Sequence, residues 1–490
     1  MSSTKTSRAR KTASVVPSVV ADARAEQPAW EALGAEGRVR WVRRYRDWLL
    51  DNEKALAALL REDTGKPAAE APVEIYLAVD LANYYCANAA GFLKGARPKP
   101  HNLLTLTKSL EVEHRPYPVV GIITPWNFPL ALTLFDAIPA LLAGAAVVTK
   151  ASEFTPRTVA AAVAGWQAIG APDVFRLVEG AGDVGRDLVD AVDYVQFTGS
   201  TRTGTLVAQQ AAGRLVPCSL ELGGKDPAIV LADADLDQAA SGVAFGGLMN
   251  TGQMCTSVER VYVEAPVYDA FVSKLVEKVA SLRQSGGDGF DTELGPMIVD
   301  TQADIVERHV EDAVAKGATV RLGGSRVLGG RFFQPTVLTD VDHTMDVMTQ
   351  ETFGPVLPVM KVRHADEAVR LANDSVYGLS ASVWSGDKNR GKEIARRLEV
   401  GAVEVNDVNT HLACFPVPQA GWKTSGVGAR FGGAHGMTKF CRPHVVTSNR
   451  VEVSLVQALA WFPYSATKAQ IVGRVFRLLG AGDVRRKLGL

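Results

Sequence analysis

Residues 119–129 read VVGIITPWNFP, a short apolar run followed by a turn that carries two prolines, a tryptophan and an asparagine. Similar runs bounded by glycine or proline recur at 145–149, 174–178, 194–197 and 216–222, and alanine-rich stretches such as 159–169 lie between them. Short apolar runs that alternate with helical stretches are typical of parallel strands covered on both faces. The sequence therefore predicts an α/β fold with a doubly wound parallel sheet.

The segments on either side of this sheet add further elements. Residues 30–60 carry apolar side chains at helical spacing among charges, and Gly65 and Pro67 mark the end of that helix. Residues 103–112 alternate loosely and predict a strand or hairpin. A second α/β set is predicted from a strand at 261–263, helices at 268–282 and 307–316, and a strand at 319–322.

The composition limits the classes of function. The 490 residues carry 53 Lys and Arg against 53 Asp and Glu, so the balanced charge gives no reason to expect a nucleic-acid partner. The five cysteines are odd in number and form no Cys-x-x-Cys pair, which argues against a disulfide framework or a metal site and favours a reducing, cytoplasmic compartment. No apolar run reaches the roughly 18 residues that a membrane-spanning helix needs.

The first 21 residues contain four cations, Lys5, Arg8, Arg10 and Lys11, and no acid. This composition suits an organelle transit sequence as well as a disordered N-terminus, and it lacks the apolar segment of a secretory signal peptide. The disordered terminus is the favoured interpretation.

Two residues are candidates for covalent and acid–base chemistry. Cys255 lies in a turn-prone stretch, 250–256, that reads NTGQMCT. A cysteine in such a loop is accessible enough to act as a nucleophile, although most cysteines are small buried apolar residues. Glu221 ends a strand-like run, and Gly223 and Gly224 leave room for a ligand or water near its carboxylate. It is a candidate general base, with a solvated loop glutamate as the alternative.

Further candidates stand where predicted strands end, the edge at which doubly wound sheets bind ligands. Asn127 has an amide that can donate to a developing oxyanion, or it is only a turn residue. Residues 197–204, FTGSTRTG, lead into a helix whose N-terminus suits a phosphate, although two glycines alone are weak evidence. Lys150 and Glu153 pair a cation with an acid that could hold ribose hydroxyls, or they form a surface ion pair.

These stretches occur together in a fixed order: 121–129 (GIITPWNFP), 197–200 (FTGS), 220–225 (LELGGK), 252–255 (GQMC) and 351–355 (ETFGP). The set resembles the motifs of the aldehyde dehydrogenase superfamily from about residue 20 to residue 445, and it is most similar to a succinate-semialdehyde-dehydrogenase-like branch. The interval of 34 positions from Glu221 to Cys255 matches as well. The resemblance implies an aldehyde dehydrogenase-like fold with a Rossmann-like cofactor domain, an α/β catalytic domain and a β-hairpin oligomerisation arm.

By this resemblance the chain oxidises an aldehyde to a carboxylic acid with NAD(P), through a thioester on Cys255. Asn127 and the Cys255 backbone N–H hold the oxyanion, and Glu221 activates the water that hydrolyses the thioester. The implied cofactor contacts are Thr124, Pro125, Trp126, Lys150, Ser152, Glu153, Gly199, Ser200, Gly204, Leu222, Gly223, Glu351 and Phe353. The implied substrate tunnel consists of Phe128, Ala131, Leu132, Phe135, Met249, Met254, Thr256, His411 and Phe415.

Within this resemblance the choice of cofactor depends on Glu153. A carboxylate there accepts both ribose hydroxyls and repels a 2′-phosphate by about 1–4 kcal/mol, depending on the local dielectric. NAD is therefore predicted. NADP is the alternative, because some members with an acid at this position rotate it away.

The substrate prediction rests on departures from the family pattern. The usual Pro-Phe-Gly-Gly reads PQAG at 418–421, and the usual Gly-Arg-Glu reads GAR at 428–430. The arginines that hold the substrate carboxylate in a mammalian-type succinate-semialdehyde dehydrogenase correspond to Phe135 and Met249. Because the implied tunnel is mostly apolar, we predict a hydrophobic aliphatic or aromatic aldehyde, with succinic semialdehyde as the alternative. A coenzyme A-acylating or a catalytically silent relative is disfavoured, since Glu221 and the other motif residues are intact.

The predicted domains follow the same resemblance. Residues 1–97 and 117–223 form the cofactor domain, 224–423 the catalytic domain, 98–116 and 424–447 the oligomerisation arm, and 448–490 a C-terminal extension. A sheet-extending arm implies a homodimer or a homotetramer.

The extension carries six basic residues from position 468 onward against one acid, Asp483. Apolar residues fall on one helical face, namely Ile471, Val472, Val475, Phe476, Leu478 and Leu479. This composition resembles a basic interfacial helix and suggests peripheral membrane contact through 468–490. Docking of the helix on its own subunit or on a partner subunit is the favoured alternative.

Overall fold

The computed structural model describes residues 14–102, 105–287, 289–327, 330–451, 459 and 461–489. The basic N-terminal segment, with its two interpretations, lies for the most part outside the described residues, as does 452–458 in the C-terminal extension. The chain forms two compact units. The first comprises Met1–Ala90 with Pro116–Phe440, and the second comprises Gly91–Arg115 with Cys441–Leu490.

The helices are α1 (Val16–Ala32), α2 (Gly34–Asp51), α3 (Glu53–Thr64), α4 (Ala71–Phe92), α5 (Pro129–Ala143), α6 (Pro156–Ala168), α7 (Gly182–Ala191), α8 (Thr201–Gly213), α9 (Leu236–Leu248), α10 (Tyr268–Ala280), α11 (Asp300–Ala315), α12 (Asp346–Thr349), α13 (Ala365–Asn373), α14 (Lys388–Ala395), α15 (His435–Thr438), α16 (Ala466–Gly480) and α17 (Val484–Leu488). The helix predicted over 30–60 is thus three consecutive helices. Gly65 ends α3 with a left-handed φ of 71°, a conformation that favours glycine.

The strands are β1 (Lys108–Pro116), β2 (Val119–Ile123), β3 (Ala146–Lys150), β4 (Phe175–Val178), β5 (Tyr194–Thr198), β6 (Cys218–Glu221), β7 (Asp226–Val230), β8 (Val258–Glu264), β9 (Thr319–Leu322), β10 (Arg326–Val327), β11 (Phe332–Phe333), β12 (Thr336–Thr339), β13 (Val356–Val362), β14 (Tyr377–Gly378), β15 (Ser380–Trp384), β16 (Ala402–Val405), β17 (Trp422–Lys423), β18 (Gly426–Val427) and β19 (Cys441–Asn449).

The first sheet confirms the predicted doubly wound layer. Its order is β18-β6-β5-β2-β3-β4, and every neighbouring pair is parallel except β18 with β6. The chain leaves β2 towards β3 and β4 and then returns to β5 on the other side of β2. The strand order therefore reverses between β2 and β5, which is where such sheets leave a crevice for a ligand.

The second sheet has the order β16-β15-β7-β8-β13-β12-β9, with β9 antiparallel to β12. Neighbouring residues of β7 point to opposite faces: Ala228 and Val230 pack with α9 and α10, and Ile229 packs with α11 and α13. The sequence identified β8, β9 and α10, but the helix predicted at 307–316 begins earlier, at Asp300. Strands such as β7 were not predicted, because a short buried run has no period of its own.

In the second unit β1 pairs with β19 in a two-stranded sheet. The predicted arm segment 424–447 is divided between the two units. Gly426 and Val427 pair with Glu221 and Leu220 in the first sheet, and the second unit begins again only at Cys441. Among the described helices, none combines the length and the apolar character that a membrane crossing requires.

Candidate active site

Cys255 lies after a short 3-10 turn, Met249–Gly252, whose backbone is unusual. Asn250 and Thr251 both have left-handed φ angles, 52° and 57°, a conformation that costs non-glycine residues free energy. A Cβ on Gly252 would lie 2.2 Å from the Gly354 carbonyl oxygen, so only glycine fits there. The Asn250 N–H donates to the Glu70 carboxylate, and the Gln253 amide donates to the Asn250 carbonyl at 2.9 Å. These contacts fix the loop that carries the cysteine.

Asn127 is held beside the same loop. It is buried between β2 and α5, and its Nδ2 donates to the Gln253 carbonyl at 3.1 Å. The Asn250 amide donates in turn to the Asn127 carbonyl, also at 3.1 Å. A side-chain amide has two N–H donors, so one remains for a ligand oxygen at Cys255.

Two cavities of the first unit meet at Cys255. Both are lined by Asn127, Leu132, Glu221 and Cys255. The structure thus brings the three predicted catalytic residues to one junction. This junction lies at the carboxyl edge of the first sheet, where Glu221 is the last residue of β6 and pairs with Thr198 of β5.

The first cavity, the tunnel, matches most of the predicted substrate residues. Its wall includes Phe128, Ala131, Leu132, Phe135, Met249, Met254, Thr256 and His411. Phe415 is the exception, because it packs behind this wall against Phe135 and Phe431 at ring-centroid distances of 5.9 and 6.0 Å. His411 is anchored by a hydrogen bond from its Nδ1 to Glu404.

The second cavity, the cleft, matches part of the predicted cofactor set. Its wall includes Pro125, Trp126, Gly199, Ser200, Leu222, Gly223, Glu351 and Phe353. Ser200 caps the N-terminus of α8, which suits a phosphate group. A Cβ on Gly223 would lie 2.4 Å from a Glu351 carboxylate oxygen, so the glycine keeps this wall open. These residues fit a dinucleotide at the position where the strand order of the first sheet reverses.

The other predicted cofactor residues occupy different positions. Thr124 hydrogen-bonds Thr133 at 3.1 Å, which turns its side chain towards α5. Gly204 packs against Leu222, and its lack of a side chain lets α8 lie close to the residue that follows β6. Lys150 ends β3, and Ser152 and Glu153 follow it at the same sheet edge, but these three residues are outside the cleft wall. Lys150 is buried and forms an ion pair of 2.9 Å with Glu153, whose side chain is 43% exposed.

The segment that carries Glu351 and Phe353 is fixed by a buried ion pair. Lys225 Nζ lies 2.5 Å from Glu259, whose carboxylate also accepts the N–H groups of Thr352 and Phe353 at 2.7 and 2.8 Å. Glu351 accepts the Gly224 N–H at 3.1 Å. Burial, together with the nearby Glu259 carboxylate, raises the pKa of Glu351 to about 8.

The second acid of the site, Glu221, has a cationic partner that the sequence analysis did not name. Arg430 Nη1 donates to Glu221 Oε2, and Arg430 Nη2 lies 3.7 Å from Asp136 Oδ2. Asp136 also forms a 3.0 Å ion pair with Lys439. The charged side chains of this group, Glu221, Asp136 and Lys439, are all buried, as is Arg430.

The charges around Cys255 act on its sulfur. Burial raises the pKa of the Cys255 thiol well above its usual range, the Glu221 carboxylate raises it further, and the Arg430 guanidinium opposes this rise. Because the thiolate is the nucleophilic form, Arg430 favours reactivity at this sulfur.

Sequence reasoning missed several wall residues besides Arg430. Gln302 and Ile305 of α11 line the cleft, and Val73, Leu77 and Phe245 line the tunnel. They come from helices whose facing side chains are indistinguishable from core residues in the sequence. Arg430 left a trace in the sequence, since it stands where the family pattern has a glutamate, and so did Gln419, Ala420 and Gly421, which depart from the usual Pro-Phe-Gly-Gly and also line the tunnel.

Known proteins resemble this chain over most of its length. Residues 3–446 match the aldehyde dehydrogenase family. A Mycolicibacterium smegmatis protein with the provisional name succinate-semialdehyde dehydrogenase [NADP(+)] is 41% identical over 445 residues, which are 90% of this chain and 86% of that protein. The 4,4'-diapolycopene aldehyde oxidase of a Methylomonas species is 40% identical over 89% of this chain and 82% of its own length. The crystal structure of lactaldehyde dehydrogenase from Escherichia coli superposes with a TM-score of 0.84, at 35% identity over 88% of this chain and 90% of that one.

Proposed function

This chain belongs to the aldehyde dehydrogenase family, and on that premise we propose how its site works and which aldehyde it takes. It is an NAD(P)-dependent enzyme that oxidises an aldehyde to a carboxylic acid. The proposal assigns Cys255 as the nucleophile, Asn127 as the oxyanion donor and Glu221 as the general base. The observation that carries it is the meeting of tunnel and cleft at these three residues.

In the proposed sequence the Cys255 thiolate forms a C–S bond with the aldehyde carbon while the Asn127 amide and the Cys255 N–H hold the oxygen. The bound dinucleotide supplies the acceptor for the hydride that leaves this carbon. Glu221 then takes a proton from water, the resulting hydroxide adds to the thioester carbonyl, and the C–S bond breaks to release the acid.

The E221Q variant tests these assignments. It should give one rapid burst of NAD(P)H and then stall, because acylation needs Cys255 and hydrolysis needs the carboxylate. Mass spectrometry after denaturation should find the acyl group on the peptide that contains Cys255. An E221Q enzyme that turns over like the parent, or an acyl group on another residue, would overturn them.

The proposed substrate is a hydrophobic aldehyde. Phe128, Phe135, Met249 and Met254 form much of the tunnel wall. Among the described residues, Arg430 is the arginine of this wall, and its charge already faces the carboxylates of Glu221 and Asp136, so it is less available to a substrate carboxylate. The relative named 4,4'-diapolycopene aldehyde oxidase supports this class, whereas the relative named for succinic semialdehyde supports the alternative.

A substrate panel separates these two classes. We expect kcat/KM for hexanal and benzaldehyde to exceed that for succinic semialdehyde, with either cofactor. The opposite order would replace the hydrophobic aldehyde by succinic semialdehyde and leave the proposed chemistry at Cys255 intact. The same panel with NAD and NADP measures cofactor preference, for which the position of Glu153 favours NAD.

The second unit suggests roles in assembly and membrane contact. We propose that the β1–β19 pair acts as the arm of a homodimer or homotetramer, which sedimentation analysis would measure. For α16, no residue of which is buried, docking on a partner subunit is the favoured role, and its apolar face beside Lys468, Arg474 and Arg477 makes an anionic lipid surface the alternative. Under this alternative, co-sedimentation with anionic vesicles should fall when 454–490 are deleted, and unchanged pelleting would dismiss the membrane contact.

A further inference from the structure

We propose that Arg430 is a positioning residue that orients the Glu221 carboxylate as the base and thereby controls release of the acid product. This inference rests on the proposed roles of Cys255 and Glu221. It concerns a residue that departs from the family pattern, in which a glutamate precedes the position of Phe431.

The contact between the two side chains is direct and shielded from water. Arg430 Nη1 donates to Glu221 Oε2, and both side chains are more than nine-tenths buried. In such surroundings an ion pair is screened very little, so each partner depends strongly on the other. Loss of one partner leaves an uncompensated buried charge.

The backbone delivers both residues to fixed positions. Glu221 pairs with Gly426 across β6 and β18, four residues before Arg430. The Arg430 N–H donates to the Gln419 carbonyl at 2.9 Å, and the Gln419 N–H donates to the Phe431 carbonyl at 2.9 Å. The guanidinium is therefore placed by two hydrogen-bonded segments and does not depend on a flexible loop.

The surrounding charges balance. Two cations, Arg430 and Lys439, face two anions, Glu221 and Asp136, and Lys439 also donates to Gln196 at 2.7 Å. Asp136 lies 3.7 Å from Arg430 Nη2, so the guanidinium has a carboxylate near it besides Glu221.

The consequence is a predicted pH dependence. Cys255 faces the same pair, and the carboxyl groups of Asp226 and Glu351 act on this region too. The Arg430 guanidinium opposes the rise in the pKa of the Cys255 thiol, so without Arg430 the thiol should lose its proton only at higher pH. The rate should then be lost at neutral pH and recovered as the pH rises.

The test compares R430Q, R430K and R38Q in the full-length enzyme. Arg38 is a matched control because it is equally buried and donates to the main-chain carbonyls of Leu142 and Glu31. R430Q should lower kcat by about 10–100-fold near neutral pH and keep the first-turnover burst of NAD(P)H at alkaline pH. In a plot of kcat against pH, R430Q should move the acid limb to higher pH by about one unit or more. R430K should move this limb less, and R38Q should leave it in place.

A double-mutant comparison separates this role from general damage to the fold. In the E221Q background, adding R430Q should reduce the steady-state rate by less than about threefold, because the base is already absent. A folded R430Q enzyme with the parent's kcat and acid limb would overturn the inference. So would an equal loss in both backgrounds. If E221Q itself keeps full turnover, the proposed role of Glu221 as the base is wrong. That result differs from an unchanged R430Q enzyme and from an equal loss in both backgrounds, which would overturn only the role of Arg430.

Discussion

The cleft and the tunnel share Cys255 but are built differently. The cleft wall consists largely of strand ends and glycine turns, such as Gly199, Ser200 and Gly223, which expose backbone to a ligand. The tunnel wall consists of side chains from α4, α5 and α9 and from the loops around His411 and Arg430. A wall formed by main-chain atoms suits one kind of ligand, whereas the shape of a wall formed by side chains changes with each substitution. The proposed cofactor site is therefore expected to follow sequence motifs, and the proposed choice of substrate to follow individual side chains.

The largest effect is expected at the junction itself. C255A should lower turnover by more than about 10³-fold with every aldehyde and both cofactors, because it removes the group that bonds to substrate. The NAD(P)H rate measures this loss. C218A serves as the control, since Cys218 stands at the start of β6 and outside both cavity walls, and it should stay near the parent rate. If C255A kept the parent's turnover, Cys255 would not be the residue that bonds to the substrate.

An intermediate effect is expected in the tunnel. F135R should raise the ratio of kcat/KM for succinic semialdehyde over hexanal by about tenfold or more, because a buried guanidinium pairs with a substrate carboxylate and penalises an apolar chain. The matched variant F135L keeps the wall apolar and should preserve the parent's order of substrates. If F135R is folded and leaves that ratio unchanged, Phe135 does not govern substrate choice.

The smallest effect is expected beyond the cleft wall. E153Q should raise the kcat/KM ratio of NADP over NAD by at least about fivefold, since roughly 1 kcal/mol of like-charge repulsion disappears even in a water-like dielectric. E153D keeps the charge and should preserve the parent's ratio. Equal ratios in E153Q and the parent would mean that the carboxylate, which is 43% exposed and paired with Lys150, turns away from the ribose.

Much of the cleft was predictable because its residues are close neighbours in sequence. A strand, its terminal residue and the following turn are encoded within about ten positions, so Asn127, Ser200 and Glu221 could each be placed at a strand end. Thr124 and Gly204 show the limit of this reasoning. Both lie in the right motifs, yet one side chain bonds α5 and the other position packs against Leu222.

The tunnel was less predictable because its wall is assembled from distant helices. Val73 and Leu77 belong to α4, and their apolar character is the same as that of a core residue. Phe415 shows the opposite error, since an aromatic residue expected in the wall stands one layer behind it. Only the packing of one helix against another decides which apolar side chains face a cavity.

The sequence by itself determined the alternation of strands and helices, the sheet edge at which a ligand site is expected, and the cysteine, glutamate and asparagine proposed to carry the chemistry, because each depends on local pattern. The tertiary structure alone decided which charges meet. Arg430 and Glu221 are 209 positions apart, and nothing in either segment specifies the other. Their pairing comes from β18 folding back beside β6, where burial removes the water that would otherwise weaken the attraction.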